Sequence, residues 1–177
     1  MAGSKRKEAT AYHEAGHAVA AWRQGLKFKR VTIKPDADSL GHVLKGFPKW
    51  FRPDNDQSDR VRLHAERHII MDFAGQLAEA KFRGRRPRYG MGADNQNAVD
   101  MALSLCGSQK AVGVFLRFCW CVSQEFVNGR WAQIEALAAA LLERETLNYE
   151  DAIEVIAPGS KALRTILVEA MARKKGA

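Results

Sequence analysis

Apolar residues recur at helical spacing along most of this chain. This periodicity, together with Asp, Asn and Ser at helix starts, predicts helices over 5–24, 58–82, from Asp94 onward, and over 109–127, 129–144, 149–156 and 160–174. The β-branched stretch Val31–Ile33 and a second predicted strand, Leu40–Leu44, flank the turn-forming residues 35–39 and predict a hairpin. The pattern predicts a mostly α (α+β) fold, a helical domain with one small β-hairpin or sheet.

The length of 177 residues allows one well-developed core but not two comfortable domains. We therefore expect a single domain over 1–177, with flexible tails at 1–7 and 174–177. The longest apolar runs are far shorter than the roughly 20 residues that a membrane-spanning helix needs. The basic N-terminus lacks the apolar core of a signal peptide, so an intracellular, cytoplasmic location is expected.

Charge and cysteine content narrow the classes of function. The net charge is +8, and much of it falls in 27–30, 83–88 and 173–175. Such clusters can bind phosphate backbones, but no nucleic-acid-binding module accompanies them, so we do not expect a nucleic-acid partner. The three cysteines, Cys106, Cys119 and Cys121, are odd in number and fit a reducing compartment. We expect Cys119 and Cys121 to be small buried hydrophobes rather than metal ligands.

The candidate chemistry lies in the first predicted helix, where His13-Glu14-Ala15-Gly16-His17 has the spacing His-Glu-x-x-His. Residues four apart share one helix face, so the two imidazoles can bind one ion. Zinc favours four ligands and accepts histidine nitrogen. Glu14 can reach a metal-bound water and take its proton. The mostly apolar neighbours would leave the histidines partly buried. The motif predicts half of a zinc hydrolase site.

The third ligand remains open on chemical grounds alone. His42, His64 and His68 are the other histidines, and carboxylates such as Glu79 are numerous. His64 and His68 form a second pair four residues apart, and therefore a rival site on the second long helix. However, no glutamate follows His64 directly as Glu14 follows His13.

Five stretches, taken in chain order, carry a family resemblance: 11–22 (AYHEAGHAVAAW), 31–35 with 39–43, 74–84 beginning Ala-Gly-Gln-Leu-Ala-Glu, 94–102, and 141–147. Together they resemble the peptidase domain of the FtsH-type ATP-dependent zinc metalloproteases. The resemblance implies that Asp94 is the third zinc ligand beside His13 and His17, with Glu14 as general base. The family usually has Gly-Ala-x-Asn-Asp here, whereas this chain reads Gly90-Met91-Gly92-Ala93-Asp94. The position of the third zinc ligand in this sequence is therefore not fixed, and Asp100 and Glu79 are the alternatives to Asp94.

The same resemblance implies the activity. We expect a zinc-dependent metalloendopeptidase that cleaves unfolded or flexible protein segments by Glu-assisted attack of a zinc-bound water. The family carries membrane spans and an ATPase module, but this sequence contains no Gly-x-x-x-x-Gly-Lys-Ser/Thr phosphate loop, so we expect hydrolysis independent of ATP. The strand 40–44 could pair with an extended substrate, with His42 near the cleft. The alternatives are a non-catalytic zinc-stabilised binding module and a peptidase subunit working with a separate ATPase or adaptor.

Overall fold

The computed structural model describes residues 2–35, 42–45, 47–87 and 93–160, and describes side chains over 5–35, 43, 47–87 and 95–160. Helices dominate, as predicted, and a small sheet accompanies them. The mostly α (α+β) prediction is confirmed. In chain order the elements are α1 (Ala2–Arg23), β1 (Phe28–Thr32), β2 (His42–Lys45), α2 (Asp59–Phe82), α3 (Ala93–Leu105), α4 (Gln109–Gly129), α5 (Trp131–Arg144), β3 (Thr146–Asn148) and α6 (Tyr149–Ile156).

The sheet contains the expected hairpin and one strand more. Its order is β2-β1-β3 and both pairings are antiparallel, with Val31 opposite Val43 on one side and Leu147 on the other. The sequence did not indicate β3, because three residues are too short to show the alternating pattern of a strand. With β1 in the centre, β2 is an edge strand of the described sheet, and it packs beside α1.

Close contact between α1 and α2 forms the centre of the domain. A methyl group added at Gly16 would lie 2.6 Å from the Ala74 carbonyl oxygen and 2.8 Å from the Ala78 Cβ. Only glycine at this position therefore lets the two backbones approach so closely. Ala15 and Ala18 on α1 are also small, and both are fully buried in the main hydrophobic core.

The ends of the elements follow local chemistry. Gly25 closes α1 at a φ of +71°, and the Leu26 amide reaches back to the Ala21 carbonyl, as in a glycine-terminated helix. Asn148 caps α6, because its side-chain oxygen accepts the Asp151 amide. Asparagine at a helix start was one of the signals that predicted this helix.

The predicted helix 160–174 and the turn at 36–39 lie outside the described residues. The expectation of two buried cysteines was wrong for one of them: Cys119 is buried in the core, whereas Cys121 is exposed. Because the two cysteines are two residues apart on α4, their side chains point to different sides of the helix.

Within the described parts of the chain, no helix combines the length and apolarity that crossing a bilayer requires.

Candidate metal centre

The two histidines of α1 turn their Nε2 atoms toward each other. These atoms are 3.0 Å apart, and the ring centroids are separated by 4.6 Å at an interplanar angle of 82°. His17 is 6% exposed and His13 is partly buried, as the apolar neighbours in the sequence predicted. Helical spacing thus brings two imidazole nitrogens to a single point at the boundary of the core.

The second helix fixes the orientation of His17. Its Nδ1 lies 2.8 Å from the backbone carbonyl oxygen of Met71 on α2. A carbonyl oxygen only accepts, so Nδ1 carries the proton and donates. In the neutral ring the lone pair then resides on Nε2, the nitrogen that faces His13. A backbone contact from another helix therefore selects the tautomer that a metal needs.

The Glu79 carboxylate on α2 contacts His13. The Nδ1 atom of His13 lies 3.3 Å from Glu79 Oε2, while the other Glu79 oxygen accepts a hydrogen bond from Arg83 Nε at 2.7 Å. The contact with His13, more than the hydrogen bond from Arg83, holds the pKa of Glu79 below its usual range against the effect of burial. Glu79 therefore contacts the Nδ1 edge of the ring, opposite to the Nε2 atom that faces His17.

Gly75 makes room for the His17 ring. A Cβ at this position would lie 2.3 Å from His17 Nε2 and 2.5 Å from its Cε1. No real side chain tolerates such contacts, so the imidazole rests directly on the backbone of α2. Sequence reasoning placed Gly75 in a recognisable stretch but assigned it no role, because a glycine inside a helix has no chemistry of its own to signal.

Glu14 completes the described part of the motif. It follows His13 in the sequence and is 4% exposed, among the buried polar residues of the chain. An ionised carboxylate in such a position is costly unless other groups compensate its charge. Burial thus leaves the Glu14 carboxylate in an environment with little water.

The donor set fits a zinc ion. Two nitrogens at 2.0–2.1 Å from a tetrahedral metal lie about 3.3–3.4 Å apart. The separation of 3.0 Å between the two Nε2 atoms is close to that edge length. Since both Nδ1 atoms face acceptors, the two Nε2 lone pairs point at each other, an arrangement that a cation between them stabilises.

The structure places only the backbone of Asp94, which lies in the first turn of α3; its side chain is outside the described residues. Its neighbour Asn95 is buried and is hydrogen-bonded to Gln76 of α2 at 2.8 Å. These bonds tie the start of α3 to α2 at the residue after Gly75. Asp100, in contrast, is exposed and accepts a hydrogen bond from Gln96 of its own helix.

The remaining histidines are placed as follows. His42 begins β2 opposite Thr32, and its side chain lies outside the described residues. His64 and His68 lie together on α2, apart from the His13 pair in sequence. No cluster of three metal-ligating side chains occurs among the described residues, which do not include the Asp94 carboxylate.

A helical domain with two converging imidazoles and a buried glutamate on one helix has the construction of a metallopeptidase domain. The chain belongs to peptidase family M41, whose family model matches residues 1–114. The FtsH-type resemblance is thereby confirmed.

Named relatives agree with this assignment. The chain is similar to the ATP-dependent zinc metalloprotease FtsH 1 of Symbiobacterium thermophilum, with 32% identity over 85% of this chain and 29% of the relative. It is 26% identical to the ATP-dependent zinc metalloprotease FTSH 11, chloroplastic/mitochondrial, of Arabidopsis thaliana, over 86% of this chain and 22% of the relative. It is 34% identical to the ATP-dependent zinc metalloprotease FtsH of Haemophilus influenzae, over 54% and 14%. The chain thus spans less than a third of the length of each of these relatives.

Proposed function

We propose that this chain is a zinc-dependent endopeptidase in which His13, His17 and Asp94 bind the metal and Glu14 is the general base. The observation that carries the proposal is the pair of Nε2 atoms 3.0 Å apart, each imidazole held through its other nitrogen by α2. Support for Asp94 comes from the start of α3, where the Asn95–Gln76 hydrogen bonds tie that helix to α2 one residue after Gly75.

Each residue has a distinct part in peptide hydrolysis. Zinc, when bound, supplies a Lewis acid that makes water acidic near neutral pH and polarises a carbonyl group. Glu14 takes a proton from the attacking water and passes it to the nitrogen of the leaving amine. Glu79 and the Met71 carbonyl hold the two imidazoles in the required tautomers. The buried setting of Glu14 limits competing bulk water.

The substrate is proposed to be an extended, unfolded segment of protein. β2 is an edge strand beside α1, so a peptide could add to it by backbone hydrogen bonds. Such pairing needs a chain without competing structure. A groove is lined by Glu79 together with Arg83, Arg85 and Arg86, and it would offer net positive charge to a substrate.

Hydrolysis is proposed to need no nucleotide. The sequence carries no phosphate-binding loop, and nothing in the proposed chemistry at Glu14 uses ATP. Folded substrates would then require a separate unfolding partner, such as an ATPase. Adding ATP should leave the rate on an unfolded substrate unchanged.

The catalytic proposal is tested with the zinc-loaded full chain and a reduced, carboxymethylated protein as substrate. Glu14→Gln should abolish cleavage while retaining zinc and the helical circular-dichroism signal. Glu125→Gln, an exposed change of the same chemistry on α4, is the matched control and should cleave like the wild type. Wild-type protein that is fully metallated yet cleaves no unfolded substrate would overturn the proposal and favour a non-catalytic zinc module.

The ligand set is tested separately by elemental analysis. Asp94→Ala should lose the zinc that the wild type holds, whereas Asp100→Ala should keep it. The Asp100 change serves as the control because this carboxylate is exposed and bonded within its own helix. Zinc retained in Asp94→Ala but lost in Asp100→Ala would show that the register of the third ligand is displaced.

A further inference from the structure

A second pair of histidines on α2 reproduces the geometry of the first. The Nε2 atoms of His64 and His68 lie 3.2 Å apart, and the ring centroids are 4.8 Å apart at 66°. The corresponding values for His13 and His17 are 3.0 Å, 4.6 Å and 82°. A separation of 3.2 Å is even closer to the edge of about 3.3–3.4 Å that a tetrahedral ion with nitrogen ligands requires.

The second pair lies on the same side of α2 as the residues that support the first. His64 and Gly75 are eleven residues apart, about three helical turns, so both point in nearly the same direction. At 1.5 Å per residue, His68 precedes Gly75 by about 10 Å along the axis. Two ions sharing a ligand are only about 3.5–4 Å apart, so the two pairs form separate sites.

Aromatic rings surround the second pair. The Trp50 and Phe51 rings meet His64 edge-on at centroid distances of 4.9 and 4.7 Å, and Phe47 lies 4.7 Å from His68. His68 is buried, at 2% exposure, whereas His64 is partly buried and Phe47 is half exposed, so the pair faces solvent on the His64 side. The rings hold the two imidazoles in place, and an ion would have to enter from that side.

Two arginines lie near the second pair. Burial, followed by the charges of Arg67 and Arg60, lowers the pKa of His64. The same two arginines repel a cation, although Arg60 is engaged 3.7 Å above the Trp50 ring. Binding therefore needs a metal with strong affinity for imidazole, and Cu²⁺, which ranks above Ni²⁺ and Zn²⁺ at nitrogen sites in general, is a sensitive probe.

We propose that His64 and His68 form a second metal site, which binds a divalent transition-metal ion through both Nε2 atoms. Water completes the coordination sphere, since the described residues hold no group of three metal-ligating side chains. The competing account is a hydrogen bond from one neutral imidazole to the other, with no metal. The proposal does not rest on peptidase activity, because the site is defined by its own two ligands.

The test uses the full chain already loaded with one zinc ion and titrates it with Cu²⁺. Trp50, next to His64, should be quenched to saturation at one added Cu²⁺ per chain, while zinc measured in the same sample stays at one. His64→Gln and His68→Gln should each weaken Cu²⁺ binding at least tenfold. Glutamine at 64 can still donate a hydrogen bond to His68, so packing is retained. Trp50→Phe should remove the optical signal but not the Cu²⁺ bound in equilibrium dialysis.

Two results would overturn the proposal. Wild-type protein that binds no second equivalent would leave the imidazole–imidazole hydrogen bond as the explanation, and this outcome does not depend on any variant folding. Cu²⁺ that binds equally well to His64→Gln, or that binds only as zinc is released, would place the ion elsewhere.

Discussion

The His17 ring lies on Gly75 so closely that a Cβ there would approach the ring's Nε2 to 2.3 Å. The interior of α2 is thus shaped by the imidazole of another helix. This contact explains a glycine whose intrinsic effect on a helix is destabilising by about 1 kcal/mol relative to alanine.

Gly75→Ala should therefore displace His17 and reduce hydrolysis by a factor on the order of 100, the scale expected when a reacting group moves by about 1 Å. Zinc affinity should fall with it. Gly113→Ala on α4 is the matched control, because a Cβ there meets nothing within 4 Å. That change should raise the free energy of unfolding by about 0.5–1 kcal/mol and leave hydrolysis unchanged. Full activity in Gly75→Ala would contradict the assigned contact.

Glu79→Gln should weaken zinc binding about 10–100-fold, because the carboxylate that holds His13 through Nδ1 becomes a neutral amide. The measurement is competition for zinc against a chelator of known affinity. Arg83→Gln removes the other partner of Glu79 without touching His13 and should have a smaller effect. Equal losses in the two variants would show that Glu79 acts through the surface ion pair.

Glu145 adopts a left-handed backbone with φ of 58°, the only non-glycine residue in the described chain with positive φ. Glu145→Gly should be more stable than Glu145→Ala by about 1–2 kcal/mol, because only glycine takes this conformation without steric cost. Both variants lose the ion pair with Lys7, so their difference isolates the backbone. Urea unfolding of the two proteins gives the comparison. Equal free energies of unfolding in the two variants would show that the backbone of Glu145 is not strained.

Cys121 should react with a thiol reagent in the folded protein, whereas Cys119 should not. Burial raises the pKa of the Cys119 thiol to about 12, so almost none of it is thiolate at pH 8. Cys121 is exposed. Cys121→Ser should remove the fast phase of labelling by a chromogenic disulfide, and Cys119→Ser should preserve it. If the fast labelling phase of the folded protein were lost in Cys119→Ser, the reagent would be reaching Cys119, which would show that α4 unfolds locally.

The sequence predicted the part of the fold and site that depends on periodicity within a single element. Helical spacing located α1 and α2 to within a few residues and placed His13 beside His17. Asn148 marked the start of α6 through the local chemistry of its cap. Each of these depends on residues close together along the chain.

Contacts between elements were beyond such reasoning. The Met71 carbonyl that orients His17 is a backbone atom, which every residue possesses, so no side-chain pattern announces it. Glu79 was considered as a ligand, but only tertiary packing places it on the Nδ1 side of His13. The strand β3 was missed because its pairing with β1 joins residues more than a hundred positions apart.

The supports of both imidazoles come from α2, so the chemistry of the motif is a property of two assembled helices. In a chain that is still being synthesised, or in which α1 and α2 have separated, the histidine tautomers are not fixed and His17 does not rest on Gly75. We expect such a chain to have no proteolytic activity. A nascent protease would then not attack unfolded neighbours, or itself, before its own folding is complete.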